Sequence, residues 1–132
     1  MEKIKVGEYV RTKNGKIKKI IKIDSCIVTV GHGLQEIEYF CRFDKGKSMC
    51  AETYNELQIK LKKYIKKHSF KLIDLIEVGD YVNGLLVESI DKFEDGSIYL
   101  NFSEARYISG CMEKVIESVA TKEIFKSITY KL

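Results

Sequence analysis

"IEVGDYVNG" occupies residues 76–84, and a near-copy, "IKVGEYVRTKNG", occupies residues 4–15. Ile4 to Val10 match Ile76 to Val82 at a constant offset of 72, and three residues, Arg11 to Lys13, are extra in the first copy. Asn14-Gly15 then matches Asn83-Gly84, with apolar positions resuming at Ile17 and Ile21 against Leu86 and Ile90. A glycine followed by an acid and then Tyr-Val reads as a turn that launches a strand. Asn-Gly signals a second turn, because both residues tolerate positive φ at little cost. The repeated unit is therefore strand, tight turn, strand.

The ends of the two halves also correspond. Ser69-Phe70-Lys71-Leu72-Ile73 resembles Thr121-Lys122-Glu123-Ile124-Phe125, and in each a hydroxyl residue is placed to cap a short helical turn. In the second half that turn lies between two strand-like segments, "KVIESVA" (114–120) and "SITYKL" (127–132). "CIVTV" (26–30) and "EIEYFCRF" (36–43) read as strands around a "GHG" turn, and "GLLVESIDKF" and "SIYLNF" as a hairpin through Asp95-Gly96. Residues 51–67 fit two periods: Tyr54, Leu57, Leu61 and Tyr64 follow helical spacing, while Leu57, Ile59 and Leu61 alternate. We expect a helix over residues 52–62. Several strands, one capped turn and a last strand match a Src-homology-3-like barrel by fold-level analogy. The expectation is a mainly β chain of two tandem Src-homology-3-like small barrels, residues 1–75 and 76–132, with one short helix and short capped helical turns.

The composition suits that size of domain. Of 132 residues, 45% are hydrophobic and 32% charged, enough for a core without disulfides or metal. No apolar run is long enough to span a membrane, and charges directly after Met1 argue against a secretory leader. Cys26, Cys41, Cys50 and Cys111 lack the close pairing that zinc ligands usually show. They read as reduced thiols, with Cys26 and Cys41 as small core residues in strands. The net charge of +4 is uneven: residues 1–70 hold 16 Lys or Arg against 8 acids, residues 71–132 hold 7 against 11. A basic half joined to an acidic half suits an anion-binding surface, and equally head-to-tail association into a homo-oligomer.

Beyond these patterns, His68-Ser69, Ile73 to Glu77, Gly79 to Gly84, Thr121 to Glu123 and Tyr130 resemble the hallmark of a known family. Its members are small phage and prophage proteins of low-GC Gram-positive bacteria, with an IDLIEVGDYVNG-type core motif. The matched stretches cover about a third of the chain and look like scaffold; residues 24–66 and 92–113 match nothing in it. The resemblance implies an accessory gene product of a mobile element, working in the host bacterial cytoplasm. It implies inhibition of host defence, by sequestering a nucleotide messenger or by binding a nuclease complex.

No stretch carries recognisable catalytic chemistry. His32 is flanked by glycines in a turn, His68 ends a strand, and Glu8 and Asp80 read as turn-holding acids. "GHG" is too short for a phosphate-binding loop. We expect a non-enzymatic binding protein without cofactor. Its expected ligand site is basic and aromatic: Lys16, Lys18, Lys19, Lys63, Lys66 and Lys67, with Tyr9 and Tyr64 to stack on a base. A small anionic nucleotide fits that site. The alternative is an anti-CRISPR-like inhibitor that binds a protein or nucleic-acid component of a defence complex, through the acidic half or the unmatched loops.

Overall fold

The computed structural model describes residues 2–102 and 116–124. The chain is mainly β. It separates into two compact units, one made of Met1–Lys13 and Ile17–Phe70, the other of Asn14–Lys16 and Lys71–Leu132.

The first unit is a five-stranded antiparallel sheet in the order β4-β3-β2-β1-β5. Its strands are β1 (Tyr9–Thr12), β2 (Ile17–Val30), β3 (Leu34–Phe43), β4 (Met49–Ala51) and β5 (Ile65–Ser69). Helix α1, Tyr54–Tyr64, lies between β4 and β5. Thr53 caps it by accepting a hydrogen bond from the Glu56 amide at 3.1 Å, which fixes the start two residues later than expected. Leu57 and Leu61, four apart on one face, enter a core with Ile4, Val10, Ile20, Cys41, Phe43 and Ile65. Helical spacing therefore wins over alternation here.

The second unit is a four-stranded antiparallel sheet in the order β8-β7-β6-β9. Its strands are β6 (Tyr81–Val82), β7 (Leu85–Lys92), β8 (Ile98–Phe102) and β9 (Val119–Ala120). Ile73, Ile76, Val82, Val87, Leu100 and Phe102 form its core. The strand expected over residues 127–132 lies outside the described residues.

Each sheet contains the same four-strand pattern, a meander of three strands with a late strand returning beside the first. Tyr9 pairs with Lys19 as Tyr81 pairs with Leu86, and Ile20 pairs with Phe43 as Val87 pairs with Phe102. A bulge follows in both: Ile21 is the extra residue in one hairpin, Glu88 in the other. Core positions then coincide, Val10 with Val82 and Cys41 with Leu100.

The register corrects the sequence alignment past Val10. Lys19, not Ile17, is the equivalent of Leu86, and Ile23, not Ile21, that of Ile90. The turns differ. Asn83 and Gly84 both take positive φ, 50° and 80°, and join Val82 directly to its partner Leu85. In the first copy the loop is longer, and there Gly15 has φ 90° while Asn14 is not among the positive-φ residues.

The hydroxyl cap expected at Ser69 is also corrected. Ser69 is the last residue of β5, paired with Tyr9, and the 3-10 turn Leu72–Leu75 begins after Lys71 without a side-chain cap. Within the second unit the Thr121 hydroxyl donates to the Gly15 carbonyl. Cys26 is exposed rather than in the core, because β2 runs on past the body of the sheet.

Candidate functional site

The turn acids are structural. Glu8 accepts a hydrogen bond from the Lys5 amide at 2.7 Å, and Asp80 accepts one from the Glu77 amide at 2.7 Å. The second Glu8 oxygen lies 2.8 Å from His68 Nδ1, and the second Asp80 oxygen takes the Lys122 amide at 2.9 Å. Both carboxylates are buried; Glu8 ties its turn to the returning strand β5, and Asp80 ties its turn to Lys122, two residues past β9. His32 is in the 3-10 turn Gly31–Gly33 with φ 62°, exposed to solvent.

The lysine segments come together on the first sheet, with β1 between them. One row across the strands is Lys19, Tyr9 and Ser69; two rungs on is Ile17, Arg11 and Lys67. Because side chains alternate along a strand, Tyr9 and Arg11 share one face with Lys19, Ser69 and Lys67. Lys19 Nζ lies 5.2 Å from the centre of the Tyr9 ring, and all three residues of its row are half-buried. Arg11 is wholly buried.

The other nominated residues are placed elsewhere. Lys18 points to the opposite, core side, 8% exposed, with its ammonium 5.1 Å from the Phe43 ring and 5.6 Å from Tyr64. Tyr64 thus serves Lys18 rather than the outer face. Lys66 occupies the bulge that β5 makes between Ile65 and Lys67, Lys63 is exposed near the end of α1, and Lys16 is an exposed residue just before β2. The structure therefore gathers Tyr9, Lys19 and Lys67 on one face and puts Lys18 with Tyr64 on the other, while Lys16, Lys63 and Lys66 belong to neither row.

A second feature lies on the β7–β8 hairpin, in a segment the sequence left unmatched. Asp91, Phe93, Asp95, Ser97, Tyr99 and Asn101 line an open cup of about 450 Å³. Phe93 and Tyr99 meet edge to face, ring centres 5.3 Å apart. Asn101 donates to Ser89 Oγ and to Asp91 Oδ2, both at 2.9 Å, which fixes that carboxylate. Bonds from the Ser97 backbone and hydroxyl hold the Asp95 carboxyl below its usual range. Alternation over 89, 91, 93 and 97, 99, 101 was the available signal for this face.

Repeat equivalence puts Lys22, Asp24, Phe40 and Arg42 at the places of Ser89, Asp91, Tyr99 and Asn101. The same hairpin face is thus cationic in one unit and acidic in the other. Among the described residues no group of three or more His, Cys, Asp or Glu is arranged to hold a metal ion, and no helix is long and apolar enough to cross a membrane. Cys41 is buried, and burial pushes its thiol up to about 12. Neither a family model, nor a curated protein, nor a solved structure matches the chain.

Proposed function

We propose that the chain is a non-enzymatic binding protein of phage or prophage origin that counters host antiviral defence by sequestering a nucleotide-type anionic ligand. The observation that carries the reading is the Lys19–Tyr9–Ser69 row with Lys67 two rungs away on the same face. It offers two ammonium groups, a hydroxyl and an aromatic face, the set that a phosphate with an attached base requires. The origin rests on the resemblance of the motif residues and on the duplication, read as two Src-homology-3-like barrels.

The test is to purify the protein from phage-challenged host cells, denature it and identify released small molecules by mass spectrometry. A nucleotide should be released by the parent, and Lys19→Glu with Lys67→Glu should lower its yield at least about tenfold. Lys92→Glu, on β7, should leave it unchanged. Equal yields from the parent and the double variant would overturn the reading.

A second reading, capture of a protein component of a defence complex, is favoured by the β7–β8 cup. Two carboxylates beside a crossed aromatic pair suit an arginine or lysine side chain from a partner. Asp91→Asn with Asp95→Asn separates the two readings, since only protein capture should respond to it.

A further inference from the structure

Beyond the body of the first sheet, β2 and β3 run on as a two-stranded arm. β1 covers β2 only at Ile17–Lys19, and β4 covers β3 only at Tyr39–Cys41, whereas β2 and β3 pair with each other out to Val30 and Leu34. Among the described residues no strand pairs with either outer edge of this arm. Its side chains are mostly exposed, including Ile27 at 67%, Leu34 at 66% and Ile37 at 58%.

The two edges differ in charge. Residues 26–30, Cys-Ile-Val-Thr-Val, carry none, while residues 34–38, Leu-Gln-Glu-Ile-Glu, carry two glutamates. Natural sheets guard open edges with lysines, prolines, bulges or inward charges. The β3 edge has such a guard in Glu36 and Glu38; the β2 edge from Cys26 to Val30 has none. Any self-pairing along β3 would bring four carboxylates to one seam, and along β2 it brings none.

We propose that the chain pairs with a second copy of itself along β2, antiparallel, about a two-fold axis at Val28. This register sets Val28 against its own copy, Ile27 against Thr29 and Cys26 against Val30, so that every uncharged residue of the edge is used. A longer overlap would draw Asp24 into the seam. The result is a continuous four-stranded sheet, β3-β2-β2-β3. A two-fold axis normal to a sheet keeps each face on its own side. Ile27 and Ile37, directly paired in one copy, then join the same pair of the other copy in one apolar stripe. Asp24 and Glu36 alternate to the opposite face and stay in water, and Glu38, half-buried beside Cys50, lies on that face too. A second copy is the occupant these observations favour, because the edge is complementary to itself and offers no charge to select a different partner.

Sedimentation velocity over a concentration series up to about 100 µM, well above the micromolar range, tests the proposal. The parent should dimerise. Ile27→Lys with Thr29→Lys places lysines opposite lysines twice across the seam and should weaken the dimer at least about tenfold. Gln35→Lys with Ile37→Lys puts the same charges on β3, on the same face, and should leave it nearly intact. Circular dichroism confirms that both variants are folded, as expected for exposed positions. A monomeric parent at the highest concentration overturns the proposal, as does a dimer indifferent to the β2 charges. Equal loss in both variants also overturns it, since the contact would then be the apolar face rather than the edge.

Discussion

Glu8 and Asp80 hold corresponding positions in the two repeats, each accepting the amide three residues upstream at 2.7 Å. Their second oxygens diverge: Glu8 turns to a side chain, His68, while Asp80 takes a further backbone amide, that of Lys122. Asp80 is also fully buried. Asp80→Ala leaves two amides without their acceptor and should cost about 2–4 kcal/mol by urea unfolding. His68→Ala spares the Lys5 amide bond and should cost less, about 1 kcal/mol.

Lys18 and Lys19 are adjacent in sequence and opposite in fate. Lys18→Met keeps the stem that packs between Phe43 and Tyr64 and should hold stability within about 1 kcal/mol. Lys18→Glu sets a carboxylate against two ring faces in a nearly closed site and should lose about 2 kcal/mol or more. Lys19→Glu, half-buried beside Tyr9 on the other face, loses that ring contact and should cost no more than about 1 kcal/mol, acting chiefly on ligand binding. Chemical unfolding of the three variants checks the contrast.

The thiols should separate by reactivity. Cys26 is exposed on the arm, whereas Cys41 is buried with its thiol pushed to about 12. Under native conditions a maleimide should modify Cys26 quickly and leave Cys41 intact, read by peptide mass mapping. The Cys41 proton is held more tightly in the folded chain than in the unfolded one, where the ordinary value is 9.0. Stability should therefore fall as pH rises from about 9 towards 12, and Cys41→Ala should flatten that slope.

The Asn83-Gly84 turn offers a fourth test of structure. Both residues have positive φ, and Asn83 Oδ1 also accepts the amides of Glu117 and Ser118 at 2.7 and 3.1 Å. Asn83→Ala should cost about 2 kcal/mol, from the left-handed backbone and the lost acceptor together. Gly31→Ala is the control. Gly31 is not among the positive-φ residues and a Cβ there meets nothing within 4 Å, so its stability should match the parent.

Local signals carried much of the architecture. The Gly-acid-Tyr-Val phrase is legible because a positive-φ glycine and a buried turn acid are both imposed by nearest neighbours. The helix at Tyr54–Tyr64 is legible because Leu57 and Leu61 face one core. What failed was register. Nothing within residues 11–17 says that Lys19 rather than Ile17 lies opposite Tyr9; that is settled by Val10 and Ile20 entering one core. The candidate site suffered from the same gap. A run of lysines looks like one patch, yet alternation in β2 sends Lys18 inward and Lys19 outward. Ser69, read as a cap, gained a place beside Tyr9 only through strand pairing. The β7–β8 cup depends on bringing Phe93 across to Tyr99, which no single strand announces.

The bulges at Ile21 and Glu88 sit at the same step of each hairpin, just before its last fully buried core position, Cys41 in one and Leu100 in the other. In the first hairpin the rungs beyond Ser25–Tyr39, and in the second those beyond the bulge, are paired among the described residues only to the strand across from them. Such a hairpin can lengthen or shorten without disturbing what lies behind the bulge, provided each strand changes by two residues, so that inward and outward faces are kept. β2 and β3 have taken the long version and β7 and β8 the short one from a common plan. On that plan, transplanting residues 97 to 100 with their partners onto the stem at Ile23 and Cys41, where they would take over the backbone rungs to β4, should give a trimmed, still folded first unit.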